Sequence, residues 1–290
     1  MSNLSDKESK TLRMVMPQWQ GGNNPNYSLG SDLLAWLAPE SEQPFVRVPV
    51  SEDASISEKN GIVARGHLLK QLEAADHIIQ AHKPDRIVMF GGDCLANQAP
   101  LAYLNERYNG ELGLLWIDAH PDVTTPKQMQ NAHAMVLGNL LGEGDQEFAN
   151  HVKTPFDPKK VMFAGLEETA SHETEVIQRL GIKTARTEEL ETNSKAVMDW
   201  AKENDIKHLA IHLDLDVLDP SVFRSLLFAN PYAEEEIGAP SGKMDFPALT
   251  RLIQDVSQQT EVVELGITEH MPWDAINLKS MLNGIPILNS

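Results

Sequence analysis

The chain has 290 residues, 41% hydrophobic and 23% charged, enough apolar surface for a large core and too much for a disordered or fibrous protein. Lys and Arg number 24 against 42 Asp and Glu, a formal charge of −18, which argues against nucleic-acid binding because phosphate contacts need concentrated positive charge. No apolar run approaches the ~18 residues of a membrane span, the polar opening MSNLSDKESK lacks a secretory apolar stretch, and the single cysteine, Cys94, allows no intrachain disulfide, so a reducing, cytoplasmic setting is expected.

In chain order, strands are predicted at Arg13–Pro17, Phe45–Val50, Asp85–Phe90, Gly113–Asp118, Lys160–Gly165, Leu209–Asp214 and Val262–Ile267. Several are unbroken Val, Ile, Leu and Met runs, the pattern of parallel strands buried on both faces. Helices are predicted over Lys59–Lys83, Ala96–Tyr108, His172–Leu180, Ser194–Glu203 and Asp245–Gln259. In the first of these, Ile62, Leu69, Leu72, Ala75 and Ile79 share one face. The alternation implies one wound parallel sheet flanked by helices, an α/β fold with a single domain over residues 1–290. Gln20–Gly30 reads as turn chemistry. Pro121–Ala132 and Ser221–Lys243 read as long loops, either walls of a binding site or surface insertions.

Asp93, Asp118, Asp122, Asp214 and Asp216 all fall at or just beyond the carboxyl ends of predicted strands. In an open parallel sheet those ends share one rim, where ligands bind. Carboxylates gathered there repel one another unless a cation neutralises them. LLWIDAHPD sets Asp118, His120 and Asp122 at alternate positions of extended chain, which share a side. AIHLDLDVLDP repeats the device with Asp214 and Asp216, and FGGDC puts two glycines at a strand end beside Cys94.

These three motifs resemble those of the ureohydrolases, the family of arginase, agmatinase and formiminoglutamase. GGDC at 91–94 is similar to the family's GGDH, DAHPD at 118–122 to DAHxD, and HLDLDVLDP at 212–220 to SxDxDxxDP, in the same order and near the same spacing. The resemblance runs from about Val48 to Gly284; the first forty residues depart from the arginase opening. It implies a three-layer α/β/α fold, two Mn²⁺ ions bridged by hydroxide, and hydrolysis of a linear guanidino or amidine C–N bond. On that resemblance Asp118 and Asp214 bridge both metals, Asp122 and Cys94 complete the first site, and His120 and Asp216 complete the second. His133, in NAHAMVLG, matches the histidine that shuttles protons to the leaving amine, although Ala134 replaces the family's next glycine. Glu264, in EVVELGITEH, matches the glutamate that accepts hydrogen bonds from the substrate guanidinium, with Glu269 and His270 as supporting candidates. The resemblance also implies a homo-oligomer, trimer or hexamer.

Two departures bear on function. Cys94 stands where the family has a ligating histidine, and soft sulfur favours zinc or iron over manganese. Unequal occupancy is therefore expected, with the second site the tighter. Val123, Thr124 and Thr125 replace the asparagine that grips an amino-acid carboxylate in arginases, leaving Asn131 as a partial substitute. L-arginine, agmatine, another guanidino compound and a formimino amino acid remain open as substrates. A non-catalytic or regulatory protein of the same fold is the alternative.

Overall fold

The structure, a computed structural model, describes residues 10–53, 56–233 and 237–288. Among the described residues ten strands form: β1 Thr11–Met16, β2 Phe45–Arg47, β3 Glu58–Lys59, β4 Ile62–Val63, β5 Arg86–Gly91, β6 Gly113–Ile117, β7 Val161–Ala164, β8 Lys183–Ala185, β9 His208–Asp214 and β10 Glu261–Thr268. Eight of them make one sheet in the order β2-β1-β5-β10-β9-β6-β7-β8, and every ladder in it is parallel. Each parallel step needs a crossover, and the helices supply most of them.

Strand β6 shows why the protein has three layers. Leu114 and Trp116 enter one hydrophobic core with Leu72, Leu101, Leu104 and Phe163. Leu115 and Ile117 enter the other, with Trp200, Ile211, Leu252 and Val256. The two-residue period of a strand sends its side chains to opposite faces, and both faces are covered. This is the α/β/α arrangement expected from the sequence.

The chain order breaks at the centre of the sheet: β10 and β9 insert between β5 and β6. Such a switch point opens a crevice beyond the strands' carboxyl ends, and the GGDC, DAHPD and DLDVLDP segments all leave the sheet there.

Several expected boundaries are corrected. The helix expected from Lys59 begins at Arg65 and runs to His82. Asn60 and Gly61 both take positive φ, 52° and 78°, making an Asn-Gly hairpin turn that pairs β3 with β4 instead. Ile62 thus lies in a strand, and Leu68 rather than Leu69 is fully buried. Gln20–Gly30 is a turn only at its start, since a helix runs over Asn26–Leu37. Strand β8 and the helix Trp273–Asn283 were not expected at all. Of the expected long loops, residues 234–236 lie outside the described residues, as do residues 1–9 of the divergent opening. Among the described residues no helix is long and apolar enough to cross a membrane.

Candidate metal centre at the sheet rim

Strand β5 ends in Gly91-Gly92, and the chain there runs so close to Gln18 that a Cβ on Gly92 would lie 1.9 Å from the Gln18 carbonyl oxygen. Glycine is what permits the approach. Asp93 then turns inward and accepts from the Leu95 amide at 3.1 Å and the Gly22 amide at 3.2 Å. Cys94 opens a short 3₁₀ turn, Cys94–Asn97. Its buried Sγ donates to Asp214 Oδ2 at 3.0 Å and sits 3.5 Å from Glu269 Oε1.

Beyond β6, Asp118 accepts from the Trp116 indole N–H at 3.0 Å and from the His120 amide at 2.7 Å. His120 Nδ1 lies 3.1 Å from Asp216 Oδ2 and 3.5 Å from Asp118 Oδ1, while its Nε2 meets the Pro240 carbonyl at 3.0 Å. Beyond β9, Asp214 accepts from the Asp216 amide at 2.7 Å, a turn that swings both carboxylates to the same side. Asp122 and Glu269 hold left-handed backbone, φ 49° and 63°, conformations uncommon away from glycine and typical of constrained sites.

The site is buried and overloaded with negative charge. Burial, followed by the neighbouring Asp216, pushes Asp118 up to about 7. Burial, followed by Glu269, pushes Asp93 to about 7. Asp122 and Asp214 are driven well up by burial and then by their acidic neighbours. Burial also tends to raise Asp216, but the His120 imidazole beside it wins and holds it low. Asp122 Oδ2 and Asp216 Oδ1 are buried without a hydrogen-bond partner. A cation would supply what these oxygens lack. Ligand atoms gather in three sets, each within 4.8 Å: Cys94, Asp118, Asp122 and His212; Asp118, His120 and Asp216; and Cys94, His133 and Glu269. Asp118 belongs to two of them. The oxygen-rich donor sets with imidazole, and the thiol on one side, fit divalent ions.

His133 Nδ1 is 3.1 Å from Glu269 Oε1. Burial alone lowers its pKa, but the Glu269 charge, aided by Asp122 and Asp93, raises it to about 9. His120 and His133 are each 23% exposed and form the solvent side of an otherwise buried cluster.

Glu264 lies outside this cluster, contrary to expectation. It sits within β10, opposite Ile87 and Ala210, and burial pushes its carboxyl well up, against the opposing Asn97 amide. Four residues separate it from Glu269, roughly 16 Å of extended strand. The rim carboxylate of this segment is Glu269. His270 also turns away, its Nδ1 held 3.0 Å from the Gly30 carbonyl.

Two residues join the site without having been singled out. The buried Tyr27 hydroxyl faces Glu269, and burial and then that charge drive its pKa well up. His212 stacks on Trp116, with centroids 3.7 Å apart and planes at 16°, and burial lowers it to about 3. Its signal was in the sequence, since His212, Asp214 and Asp216 alternate in HLDLD. Thr124, which stands with Val123 and Thr125 where arginases carry the carboxylate-gripping asparagine, donates its hydroxyl to the Ala134 carbonyl at 2.8 Å and ties down its own loop. Thr125 likewise spends its hydroxyl on Gln128.

Fold and site together define an α/β/α protein with a candidate metal centre at the switch point of its sheet. A sequence model of the Arginase family matches residues 34–226, and the chain belongs to that family. It is 26% identical over 140 residues to an arginase of Staphylococcus aureus (strain COL), covering 46% of each chain, so it spans about half the length of that curated relative. The arginase of Entamoeba histolytica, solved in complex with L-ornithine, superposes with a TM-score of 0.76 over 91% of each chain at 18% identity. The formimidoylglutamase of Bacillus subtilis gives 0.66 at 13% identity, over 92% of this chain and 81% of the other. Both structural likenesses establish the fold.

Proposed function

We propose that the chain is a metal-dependent hydrolase of a linear C–N bond in a small guanidino or amidine compound. The observation that carries this reading is the meeting of the buried Asp118, Asp122, Asp214 and Asp216 with the partly exposed His120 at one rim, where Asp122 Oδ2 and Asp216 Oδ1 are buried without a hydrogen-bond partner. Asp118, His120, Asp214 and Asp216 would hold one ion, and Cys94 and Asp122, sharing Asp118 and Asp214, the other. A bound pair of divalent ions supplies Lewis acidity and makes hydroxide available near neutral pH.

The remaining chemistry belongs to this chain's own groups. Glu269 offers its carboxylate to a planar cationic guanidinium or amidinium, a match of shape and charge. Tyr27 hydrogen-bonds that carboxylate and steadies it. His133, protonated near neutral pH beside Glu269, passes a proton to the amine as it leaves. With the Thr124 and Thr125 hydroxyls spent inside their loop, the site lacks one grip on an amino-acid carboxylate. Agmatine-like and formimino compounds therefore stand beside L-arginine as candidates.

The test is hydrolysis by the full chain, stripped with chelator and reloaded with Mn²⁺, Zn²⁺ or Fe²⁺, across guanidino and formimino compounds. Released urea, formamide and amine are measured. Turnover of at least one compound, abolished by Asp216→Asn with circular dichroism unchanged, supports the reading; no turnover with any metal overturns it. Cys94 favours a second reading, a binding or regulatory protein that holds metal without turnover, and tight metal binding with no hydrolysis would select it. A cytoplasmic homo-oligomer, trimer or hexamer, is part of the same proposal. Leu278, Met281 and Leu282 leave apolar surface exposed on the last helix, and light scattering reads the assembly directly.

A further inference from the structure

His212 is a buried imidazole whose use is not explained by packing alone. Its Nδ1 meets the Asn97 side-chain amide at 3.1 Å, Trp116 stacks on its face, and its Nε2 is buried with no partner. One of its ring nitrogens lies within 4.8 Å of Cys94 Sγ and of carboxylate oxygens of Asp118 and Asp122. An unpartnered imidazole nitrogen beside a thiol and two crowded carboxylates is an unfinished coordination shell.

We infer that His212 Nε2 ligates the first metal, which Cys94, Asp118, Asp122 and His212 hold together as a sulfur, nitrogen and oxygen set suited to zinc or ferrous iron. The inference rests on the hydrolase reading for its metals and changes what the Cys94 side is. Instead of a site weakened by loss of an imidazole, it becomes one in which an imidazole arrives from a different strand, two residues before Asp214 on β9.

The surroundings support that role. A ligating histidine nearly always donates its other ring N–H to a carbonyl or carboxylate, which fixes the tautomer. Asn97 is the partner at Nδ1. Its Oδ1 is buried without a hydrogen-bond partner of good geometry, and so are both oxygens of Glu264, although the Asn97 amide lies near enough to that carboxyl to lower its pKa against burial. Oxygen and nitrogen of an amide are assigned from their partners. Turning the Asn97 amide over keeps the 3.1 Å contact but lets Oδ1 accept from Nδ1–H. The amide NH₂ then faces Glu264, and the Nε2 lone pair is free for a metal. Gly266 makes the room, since a Cβ there would lie 2.2 Å and 2.3 Å from the two Asn97 amide atoms. Glu264 thus acts through Asn97 on His212 as a positioning residue. On binding, the Cys94 thiol gives its proton to solvent and the sulfur lone pair goes to the metal.

Cobalt(II) alone is the probe. Cys94 is the one cysteine, so a sulfur-to-cobalt charge-transfer band reports this site and no other. In the full chain the band is expected to grow on titration with Co²⁺. His212→Gln should weaken that binding at least about tenfold, whereas His133→Gln should leave it unchanged. Wild-type affinity in His212→Gln, or dependence on His133 instead, overturns the inference. Because His212→Gln can also disturb the core, zinc X-ray absorption on a His120→Asn/His133→Asn double variant gives an independent reading. Sulfur near ~2.3 Å and an imidazole nitrogen near ~2.0 Å in one shell are expected; sulfur with no imidazole overturns it. Hydrolysis with no thiolate band removes this inference alone, while failure to bind any divalent ion removes the hydrolase reading with it.

Discussion

Cys94 Sγ lies 3.0 Å from Asp214 Oδ2, joining the end of β5 to the end of β9 across 120 residues of sequence. Burial, then the Asp214 charge, drives the thiol's pKa well up, so without metal the sulfur is a proton donor. Replacing it exchanges a soft ligand for a harder one. Cys94→His should shift preference from zinc toward manganese. Elemental analysis after dialysis against equal Mn²⁺ and Zn²⁺ measures the ratio, and an unchanged ratio contradicts the assignment of sulfur as a ligand.

The His133–Glu269 contact at 3.1 Å couples the proposed proton donor to the carboxylate proposed to face substrate. Glu269→Gln removes the charge that raises His133 and the acceptor for the substrate cation. The expected loss in kcat/KM is about 10²–10⁴-fold, with the melting temperature little changed. His133→Asn should lower kcat more than it raises KM. Steady-state kinetics on the substrate found in the screen decides both.

Metal should stabilise the protein more as pH rises. Asp93 and Asp118 have pKa values near 7 in the folded chain against an ordinary 3.8. A raised pKa means the folded state binds the proton more tightly. The stability it contributes is complete below about pH 4 and is lost as pH climbs through 7. Divalent ions bound at Asp118 would displace its proton and, by their charge, favour ionisation of the nearby Asp93. The metal-dependent rise in melting temperature should therefore increase between pH 5 and 8, and at a metal concentration about a hundred times Kd it corresponds to roughly 2.7 kcal/mol. A rise independent of pH would mean the metal binds elsewhere.

Away from the rim, the nearly buried Arg65 guanidinium holds Asp145 at 2.5 Å and Glu147 at 2.8 Å. Asp145 also caps the helix Gln146–Ala149. Asp145→Ala leaves a buried cation with one carboxylate partner, the half-exposed Glu147, and should cost about 3 kcal/mol, read by urea denaturation. The ion pair holds Asp145 below its ordinary pKa despite the opposing effect of burial. Its contribution is present at neutral pH and fades as acid protonates it.

The central strands were legible in the sequence because burial on both faces leaves an unbroken apolar run, as in LLWI of β6. What escaped did so for local reasons. The three-residue edge strand β8, Lys183–Ala185, carries too little apolar sequence to signal itself. Pro25 and its polar neighbours read as turn, yet proline also suits a helix start, and a helix begins at Asn26. At the rim, the aspartates and His120 were legible because their alternation is local. The family motif points to Glu264, but β10 runs on to Thr268, so Glu264 lies within the strand and Glu269 is the member of the pair that gathers with Cys94 and His133 at the rim. His212 escaped because its partners, Cys94 and Asp122, are distant in sequence and meet it only through the sheet order.

Trp116 turns this arrangement to practical use. Its indole stacks on His212 and donates to Asp118, two groups assigned to the same ion. Emission from this tryptophan should respond when either changes its charge or partner, giving the protein an optical gauge of loading that needs no added dye. Trp116→Phe would silence that response while the other four tryptophans continue to report the fold.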